Sequence, residues 1–310
     1  MEMLKPIEPM LAVYAAGEDV YNQVLNNHNG TTCAELKYDG YRMQLHKKGS
    51  VVKAYTRNLN DMPLEVYPEL KDSIESLPDC VLDCELVGGV GHAGFNVVKR
   101  RFRAKSPKSL DAYMRDVKGL PSLELRVFDV INYEGKWLAG MPFSERASYI
   151  KRIDEPAIMP VDHWMVTDAE HLKTLFDKLA IDKHEGLVCK NLDSLYIAGD
   201  RHRDWLKIKK FETLDLAVLG AYMDGDNISQ LLCGTYNPME NRYETIAKVN
   251  AKREGIGEEV KSKIRLLKRK PSSVYLSPTI KEDEIPNLYV NPERSVVVEV
   301  KAMNINHGKN

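Results

Sequence analysis

The segment Glu35-Leu36-Lys37-Tyr38-Asp39-Gly40-Tyr41-Arg42 contains the spacing Lys-x-Asp-Gly-x-Arg. Residues 32–57 around it are strand-like, and Val51-Val52-Lys53-Ala54-Tyr55 follows a turn at Lys48-Gly49-Ser50. Four fixed residues in a set spacing recur by chance at roughly one in 10⁵ positions. An ordinary hairpin turn at Asp39-Gly40, flanked by solvated charges, would also explain the segment. The choice between a turn and a functional motif therefore depends on the rest of the sequence.

Four further segments carry residues that phosphate chemistry uses. The first two lie in predicted strands at 81–87 and 125–132, and the third follows a predicted helix at 168–179. Together with Lys37 they place an acidic strand, an aromatic strand, a second acid and two alternating lysines in the order that nucleotidyl transfer requires. The segments are Asp83-Cys84-Glu85, Phe128-Asp129, Glu185-Gly186-Leu187-Val188-Cys189-Lys190 and Trp205-Leu206-Lys207-Ile208-Lys209.

The chemistry explains why these residue types are needed. In nucleotidyl transfer a lysine amine attacks the α-phosphorus of a nucleotide and expels pyrophosphate. The amine must be neutral, which nearby cations and partial burial favour. Arg42, Lys207 and Lys209 would supply positive charge there and would stabilise the charge that builds on the phosphoryl oxygens. Lys207 and Lys209 are two residues apart on a predicted strand, so we expect both to face one side.

The remaining residues complete such a site. Glu85 and Glu185 offer the oxygen ligands that Mg²⁺ prefers, and the ring of Phe128 can stack on a base. Taken singly, each has an ordinary explanation: Phe128 as core, Glu85 as an exposed acid, and Lys207 with Lys209 as a solvated strand face. Because the residues occur together and in order, the joint interpretation is favoured.

Bulk properties set the class of protein. The net charge is −1, so any nucleic-acid partner must be held by local basic patches. The five cysteines lack the paired spacing of a zinc site and indicate reduced thiols. No apolar run reaches membrane-spanning length, and the start of the chain does not resemble a signal peptide. We expect a soluble intracellular protein with no membrane partner, cytoplasmic if prokaryotic or viral and nuclear if eukaryotic.

The sequence changes in character near residue 212, which predicts two domains, 1–212 and 213–310. Strands mixed with helices predict an α+β fold class for the chain. The helices predicted in the first domain are 62–77, 144–153 and 168–179. The strands predicted in the second are 214–222, 230–236, 242–249 and 295–302, with one helix at 257–268, a content that suits a small barrel.

At this point the chain resembles the covalent nucleotidyltransferase superfamily, and within it the ATP-dependent DNA ligases. The resemblance runs from about Pro9-Met10-Leu11-Ala12 to residues 296–302. The family implies an adenylation domain of packed antiparallel sheets and helices, followed by an OB domain. Six motifs match in order: Lys37-Tyr38-Asp39-Gly40-Tyr41-Arg42, Tyr55-Thr56-Arg57-Asn58, and the four segments quoted above.

The resemblance implies a role for each matched residue. Lys37 is the nucleophile that takes up AMP from ATP, and the partner is nicked duplex DNA, bound by a monomer. Mg²⁺ assists, and Mn²⁺ can substitute. The implied nucleotide contacts are Glu35 and Phe128 at adenine, Arg42 and Arg57 at ribose and phosphates, Glu85 at the ribose, and Lys190, Lys207 and Lys209 at phosphates. Glu85 and Glu185 are the implied metal carboxylates.

The chain also departs from the family pattern. The final motif expected near the end of an OB domain is not found before Asn310, so we expect a truncated OB domain and an impaired first step. About 36 residues precede Lys37, which indicates a minimal ligase or an excised catalytic part. DNA would then be held by basic segments. The candidate DNA-contacting residues are Lys99, Arg100, Arg101, Arg103, Lys105, Arg201 and Arg203. A solvated helix face would also explain the first five.

Two other functions stay open on the sequence. An RNA ligase or a GTP-using RNA-capping enzyme shares the Lys-x-Asp-Gly pattern, and labelling with ATP or GTP would separate capping from ligation. The second alternative is a nucleic-acid-binding module that keeps the fold and has lost catalysis. Binding of nicked DNA without any adenylation would favour it.

Overall fold

The computed structural model describes residues 2–15, 19–89, 91–102, 115, 119, 121–182, 184–252, 255–278 and 280–302. The chain divides into two compact units, Met1–Lys210 and Phe211–Asn310. No helix among the described residues is long and apolar enough to cross a membrane.

The described part of the first unit contains eleven strands and five α-helices. The strands are β1 (Leu11–Tyr14), β2 (Thr32–Lys37), β3 (Tyr41–Lys48), β4 (Val51–Thr56), β5 (Cys80–Val87), β6 (Glu124–Tyr133), β7 (Lys136–Trp137), β8 (Ile158–Pro160), β9 (His163–Val166), β10 (Gly186–Asn191) and β11 (Arg201–Lys209). The helices are α1 (Val20–Asn27), α2 (Lys71–Ser76), α3 (Gly91–Phe102), α4 (Phe143–Ile150) and α5 (Ala169–Ile181).

These strands form two sheets. The first has the order β1-β11-β10-β2-β9, and the second has the order β4-β3-β5-β6-β7 with β8 paired to β6. Most pairs are antiparallel, as predicted, while β1 with β11 and β6 with β8 are parallel. Side chains alternate between the faces of a strand, so each sheet can bury one face and leave the other for function.

The apolar face of the first sheet packs on helices. Leu36, Leu187 and Ile208 from its strands form one buried cluster with Val24 of α1 and Leu172 of α5. Burial of this kind is worth about 1.5–3 kcal/mol for each large aliphatic side chain. The alternate residues of β2, β10 and β11 are thereby directed to the opposite face.

The helix predicted at 62–77 is wrong over its first half. The chain instead forms two 3₁₀ turns, Leu64–Val66 and Pro68–Leu70, and becomes α-helical only in α2. Proline lacks an N–H and disfavours helical geometry in the residue before it, and Tyr67 has φ −127° and ψ 57°. The proline therefore breaks the helix that the apolar spacing predicts.

The elements of the second unit are β12 (Glu212–Asp224), β13 (Asn227–Asn237), β14 (Arg242–Asn250), α6 (Ile256–Lys263), β15 (Leu266–Leu267), β16 (Val274–Tyr275), β17 (Leu288–Val290) and β18 (Val297–Ala302). Its strands form one sheet with the order β15-β17-β12-β13-β14-β16, and β18 pairs with β12. Leu216, Leu231, Cys233 and Val290 form its buried core. Its helix is shorter than predicted, because the chain leaves helical geometry at Ile264 and then forms a short strand.

Candidate active site

One face of the first sheet brings together lysines from three segments. Lys37 at the end of β2 lies opposite Gly186 on β10, and Gly186 lies opposite Lys209 on β11. Val188, two residues further along β10, lies opposite Lys207. Residues opposite one another in antiparallel strands point to the same face, so all three lysines share it. The spacing of Lys207 and Lys209 had predicted their common side.

The second sheet contributes the acidic and aromatic residues. Arg42 on β3 lies opposite Glu85 on β5. The guanidinium carbon of Arg42 lies 5.2 Å from the ring centroid of Phe128 on β6. Arg42, Glu85 and Phe128 line the same small pocket as Lys37, which places the two strand sets around one site.

Two glycines allow this close approach. A Cβ atom on Gly40 would lie 2.2 Å from the carbonyl oxygen of Leu86, and one on Gly186 would lie 2.1 Å from that of Ile208. Gly186 also has φ +144°, a conformation that other residues rarely adopt. The glycine of the Lys-x-Asp-Gly segment is therefore required because the loop after Lys37 packs directly on β5.

The site consists of a wide cleft and a small pocket that share residues. The cleft has a volume of about 1040 Å³, and the pocket one of about 130 Å³. The cleft is lined by charged groups, among them Lys37, Arg42, Arg57, Glu85, Glu185, Arg201 and Lys207. The pocket is lined by Glu35, Phe128, Lys190 and Trp205 together with Lys37, Arg42 and Glu85.

The residues that build this site lie within a region shared with known proteins. Residues 9–209 match the family model described as ATP dependent DNA ligase domain. The chain belongs to this ligase family. All of the residues that line the cleft and the pocket fall inside the matched region.

Relatives with this domain are DNA ligases by name. The DNA ligase of Thermococcus onnurineus is 34% identical over 261 residues, which cover 80% of this chain and 44% of the relative. The DNA ligase of Thermococcus fumicolans is 31% identical over 310 residues, covering 96% of this chain and 51% of the relative. The chain thus spans about half the length of the curated relatives it matches.

Solved structures show the same fold. The ligase domain of M. tuberculosis LigD is 20% identical with a TM-score of 0.52, covering 97% of this chain and 90% of that domain. A Lig E DNA ligase is 18% identical with a TM-score of 0.58, covering 83% of this chain and 88% of that one. The α+β fold class predicted from the sequence is confirmed.

Within the ligase cleft, Glu185 bridges two of the lysines. Its carboxylate forms ion pairs with Lys37 Nζ and Lys209 Nζ through different oxygens. Burial works to raise the pKa of Glu185, and the two ammonium groups outweigh burial and lower that pKa. Glu185 is thus held ionised, in contact with the lysine that the sequence predicts as nucleophile.

Glu85 is in the opposite electrostatic situation. It lies partly exposed where the cleft meets the pocket, and desolvation raises its pKa to about 7 although Lys37 and Arg42 oppose the shift. When a carboxyl group is costly to ionise on its own, its ionisation becomes favourable once a cation binds beside it. Glu85 is therefore suited to receive a positively charged ligand.

The side chains of the cleft supply only some of the ligands that a magnesium ion needs. Among the described residues, no three His, Cys, Asp or Glu side chains come together in a way that could hold a metal. Mg²⁺ often takes one or two carboxylates and completes its shell with substrate phosphates and water. Glu85 and Glu185, which both line the cleft, match that arrangement.

Positive charge is concentrated around Lys207. Partial burial and, in decreasing order, the charges of Arg201, Lys209, Lys37 and Arg57 together lower the pKa of Lys207 to about 8. Cations crowded in this way repel one another until an anion arrives between them. This side of the cleft is consequently suited to bind a polyphosphate.

The small pocket has aromatic walls and one buried ion pair. The rings of Phe128 and Trp205 meet edge to face with centroids 6.2 Å apart. Lys190 Nζ lies 2.9 Å from Glu35 Oε2 and 4.4 Å from the Trp205 ring, and it donates to the carbonyl of Phe128 at 2.5 Å. Trp205 Nε1 is buried without a hydrogen-bond partner among the described residues. A flat base with polar edges would fit these surroundings.

Lys190 differs from its expected role. The sequence predicted that it holds phosphates with Lys207 and Lys209, but its side chain is 1% exposed and lies in the small pocket. Its register on β10, opposite Cys33 and Trp205, places it away from the lysine pair. The geometry favours a role at the base pocket, where it neutralises Glu35.

Arg42 is held by a network that sequence reasoning missed. Its Nε donates to Asp83 Oδ1 at 2.8 Å, and its Nη1 donates to the Met10 carbonyl at 2.7 Å. Tyr196 donates from its hydroxyl to Asp83 Oδ2 at 2.7 Å and accepts from the Met10 N–H at 3.2 Å. Tyr196 lies outside the six matched motifs, and nothing in its local sequence marks it.

The predicted DNA-contacting residues separate into groups. Arg101 is a correction: its side chain is 5% exposed, ion-paired with Glu69, and bonded to the Val66 carbonyl at 2.9 Å, so it is unavailable to DNA. Arg100, on the same helix, is exposed. Of the other predicted DNA-contacting residues, Lys99 is half-buried, Arg201 and Arg203 are exposed, and Arg103 and Lys105 lie outside the described residues. Arg57, which the resemblance places at the nucleotide, is exposed in the cleft.

Proposed function

We propose that this chain is the nucleotidyl-transfer core of an ATP-dependent DNA ligase. It would seal nicks bearing a 5′-phosphate and a 3′-hydroxyl in duplex DNA through a lysyl-AMP intermediate. One observation carries the proposal: the amine of Lys37 contacts Glu185 on the wall of a cleft that joins a cation-rich side to a base-sized pocket. A nucleotide spanning both would bring its α-phosphate near that amine.

Each part of the nucleotide has residues suited to it. Lys207, Lys209 and Arg57 would hold the phosphates, and Phe128 would stack on the base. The carboxylate of Glu35 can accept from the exocyclic amine of adenine but would repel the carbonyl oxygen that guanine carries at the same place. This favours ATP over GTP.

The reaction begins at Lys37. After its amine has given up a proton to solvent, Nζ attacks the α-phosphorus, a nitrogen–phosphorus bond forms, and the bond to the pyrophosphate oxygen breaks so that pyrophosphate leaves. The adenylate then passes to the 5′-phosphate at a nick, and the 3′-hydroxyl displaces AMP. A bound Mg²⁺ or Mn²⁺ would neutralise charge on the phosphates, with Glu85 and Glu185 as the residues that hold it.

The two units would have different roles in ligation. We assign residues 1–212 as the adenylation domain and 213–310 as the OB domain, acting together as a monomer. An intracellular location is consistent with the five cysteines, all of which are free and buried. Light scattering of the purified chain, with and without nicked duplex, tests the monomer.

The decisive experiment is the intact mass of the purified protein before and after incubation with ATP and Mg²⁺. We expect a gain of one adenylate from ATP and none from GTP. Lys37→Arg should abolish the gain, since the guanidinium keeps a positive partner for Glu185 but is a poor nucleophile. Lys173→Arg, the same change on the exposed face of α5, should be adenylated like the wild type.

Other outcomes of these measurements would favour a different function. Uptake of GMP in place of AMP would indicate a capping enzyme. If no adenylate forms, and none is bound on purification, a pre-adenylated nick is the next substrate. Binding of that nick without sealing would favour a module that has lost catalysis.

A further inference from the structure

The second unit has one segment that is rich in positive charge. Residues 211–310 contain 14 Lys and Arg residues and 14 Asp and Glu residues. Six of the basic residues fall within residues 261–270, a segment that contains no acid. The unit is therefore neutral in total but strongly polarised, which is the usual electrostatic footprint of a site for a polyanion.

Three of the six cations are held by local partners. Each bonds to a group close by and is less available to a ligand. They are Lys261, which donates to the Asp226 carbonyl, Lys263, which lies 2.5 Å from Glu259 Oε1, and Lys270, which donates to the Val274 carbonyl at 2.6 Å.

The other three cations are Arg265, Lys268 and Arg269. All three are exposed, and none forms an ion pair within the part of the chain that the structure describes. Their charge is directed to solvent and is not used to stabilise the fold.

Two residues at the centre of this segment pair within the sheet. Leu266 pairs with Val290 and Leu267 pairs with Tyr289, which makes β15 the edge strand of the sheet. Ile264 and Leu266 pack against the buried core, so Arg265 between them must point outward. We call residues 264–269 the basic edge.

We propose that this basic edge binds the phosphodiester backbone of duplex DNA beside the nick, an inference that rests on the proposed ligase function. The chain from Arg265 to Arg269 spans at most about 14 Å. One strand of B-DNA carries a phosphate every ~3.4 Å of helix axis, so the three cations can reach different phosphates. An anionic membrane is less suitable, because Ile264 and Leu266 face inward and offer no apolar insertion.

The test replaces the three free cations together, as Arg265→Gln, Lys268→Gln and Arg269→Gln. Affinity for a nicked duplex is measured by fluorescence anisotropy at several salt concentrations. Each phosphate contact contributes roughly 0.9 to the slope of log affinity against log salt, so the slope should fall by roughly 3. A matched control carries Lys281→Gln, Arg294→Gln and Lys301→Gln, three exposed cations of the same unit, and should keep the wild-type slope.

The same samples are assayed for adenylate uptake, which separates this inference from the proposed function. Normal uptake with a reduced slope supports the basic edge. An unchanged slope would overturn it, as would an equal loss in the control, since that would reflect total charge alone. A variant that keeps the positive charges, with Arg265→Lys and Arg269→Lys, should show most of the wild-type slope. Loss of binding to phosphatidylserine vesicles with unchanged DNA binding would make the edge a membrane site instead.

Discussion

The hydroxyl of Tyr196 donates to Asp83 Oδ2 at 2.7 Å, and the same carboxylate receives two donors from Arg42. Tyr196 comes from the connection between β10 and β11, so this bond ties that connection to the second sheet beneath the cleft. It also helps to fix Arg42, which lines both the cleft and the pocket. Tyr196 is thus a positioning residue, since it acts on the site through Asp83.

Tyr196→Phe keeps the ring and removes the hydroxyl. A hydrogen bond to a charged group contributes about 1.5–3 kcal/mol, so we expect the free energy of unfolding of the first unit to fall by that amount. Adenylate uptake should slow as Arg42 loses its fixed position. Denaturant unfolding measures the first effect and timed mass spectrometry the second.

The control is Tyr236→Phe, which removes a hydroxyl that bonds Asn241 at the surface of the second unit and should change neither stability nor uptake. Equal effects from both changes would remove the positioning role.

The pair of Glu35 and Lys190 gives a second prediction. Both side chains are nearly inaccessible, at 4% and 1% exposed. Replacing one member of a buried ion pair leaves an uncompensated charge and costs about 3–5 kcal/mol. We therefore expect Lys190→Met to lower the free energy of unfolding by about that much, and the double change Glu35→Gln with Lys190→Met to recover most of the loss.

Denaturant unfolding at pH 8 measures this pair. The pKa of Glu35 is already raised to about 7 by burial, in spite of Lys190, so its carboxylate is ionised at that pH. If Lys190→Met left stability unchanged and only raised the KM for ATP, the phosphate role expected from the sequence would be right and the structural interpretation wrong.

Lys207 predicts a pH dependence of nucleotide binding. Its pKa is lowered to about 8 from an ordinary 10.5, and a bound polyphosphate would favour the charged form. Binding then requires a proton above pH 8, so affinity for ATP should fall as pH rises, by up to about tenfold per pH unit. Calorimetry with a non-hydrolysable ATP analogue from pH 7 to 9.5 measures it. Lys207→Arg stays charged over this range and should show a flat profile. A flat wild-type profile would contradict the prediction.

Much of the site follows from local sequence, because its motifs lie on strands whose period is two. That period placed Lys207 and Lys209 on one side, and the order of the motifs anticipated the grouping of Lys37 with Glu185. The helix predicted at 62–77 is wrong over its first half because Pro68 interrupts the helix that the apolar spacing indicates. What local sequence cannot reveal is which partner a charge meets across the fold, as Lys190 shows, because its burial depends on the register of β10 against β2 and β11.

Arg100 and Arg101 are adjacent basic residues whose different roles only the tertiary structure separates. Arg100 is exposed. Arg101 reaches Glu69, and Glu69 in turn accepts from the Leu123 N–H at 3.0 Å, so the pair joins α3 to two other segments. Burial works to raise the pKa of Glu69, and the bond from Arg101 outweighs it and lowers that pKa.

The matched variants Arg100→Gln and Arg101→Gln test this assignment. Arg101→Gln should lower the free energy of unfolding by about 3–5 kcal/mol and leave the salt slope of DNA binding unchanged. Because the lowered pKa of Glu69 contributes stability above its ordinary value of 4.5, the wild type should lose that contribution as pH falls below about 4.5. Arg101→Gln should lack this acid-sensitive part.

The matched variant Arg100→Gln should keep wild-type stability, and the salt slope of its DNA binding should fall by about one if Arg100 contacts a phosphate. A stable Arg101→Gln protein with a reduced salt slope would instead return Arg101 to the DNA surface that the run of basic residues predicts.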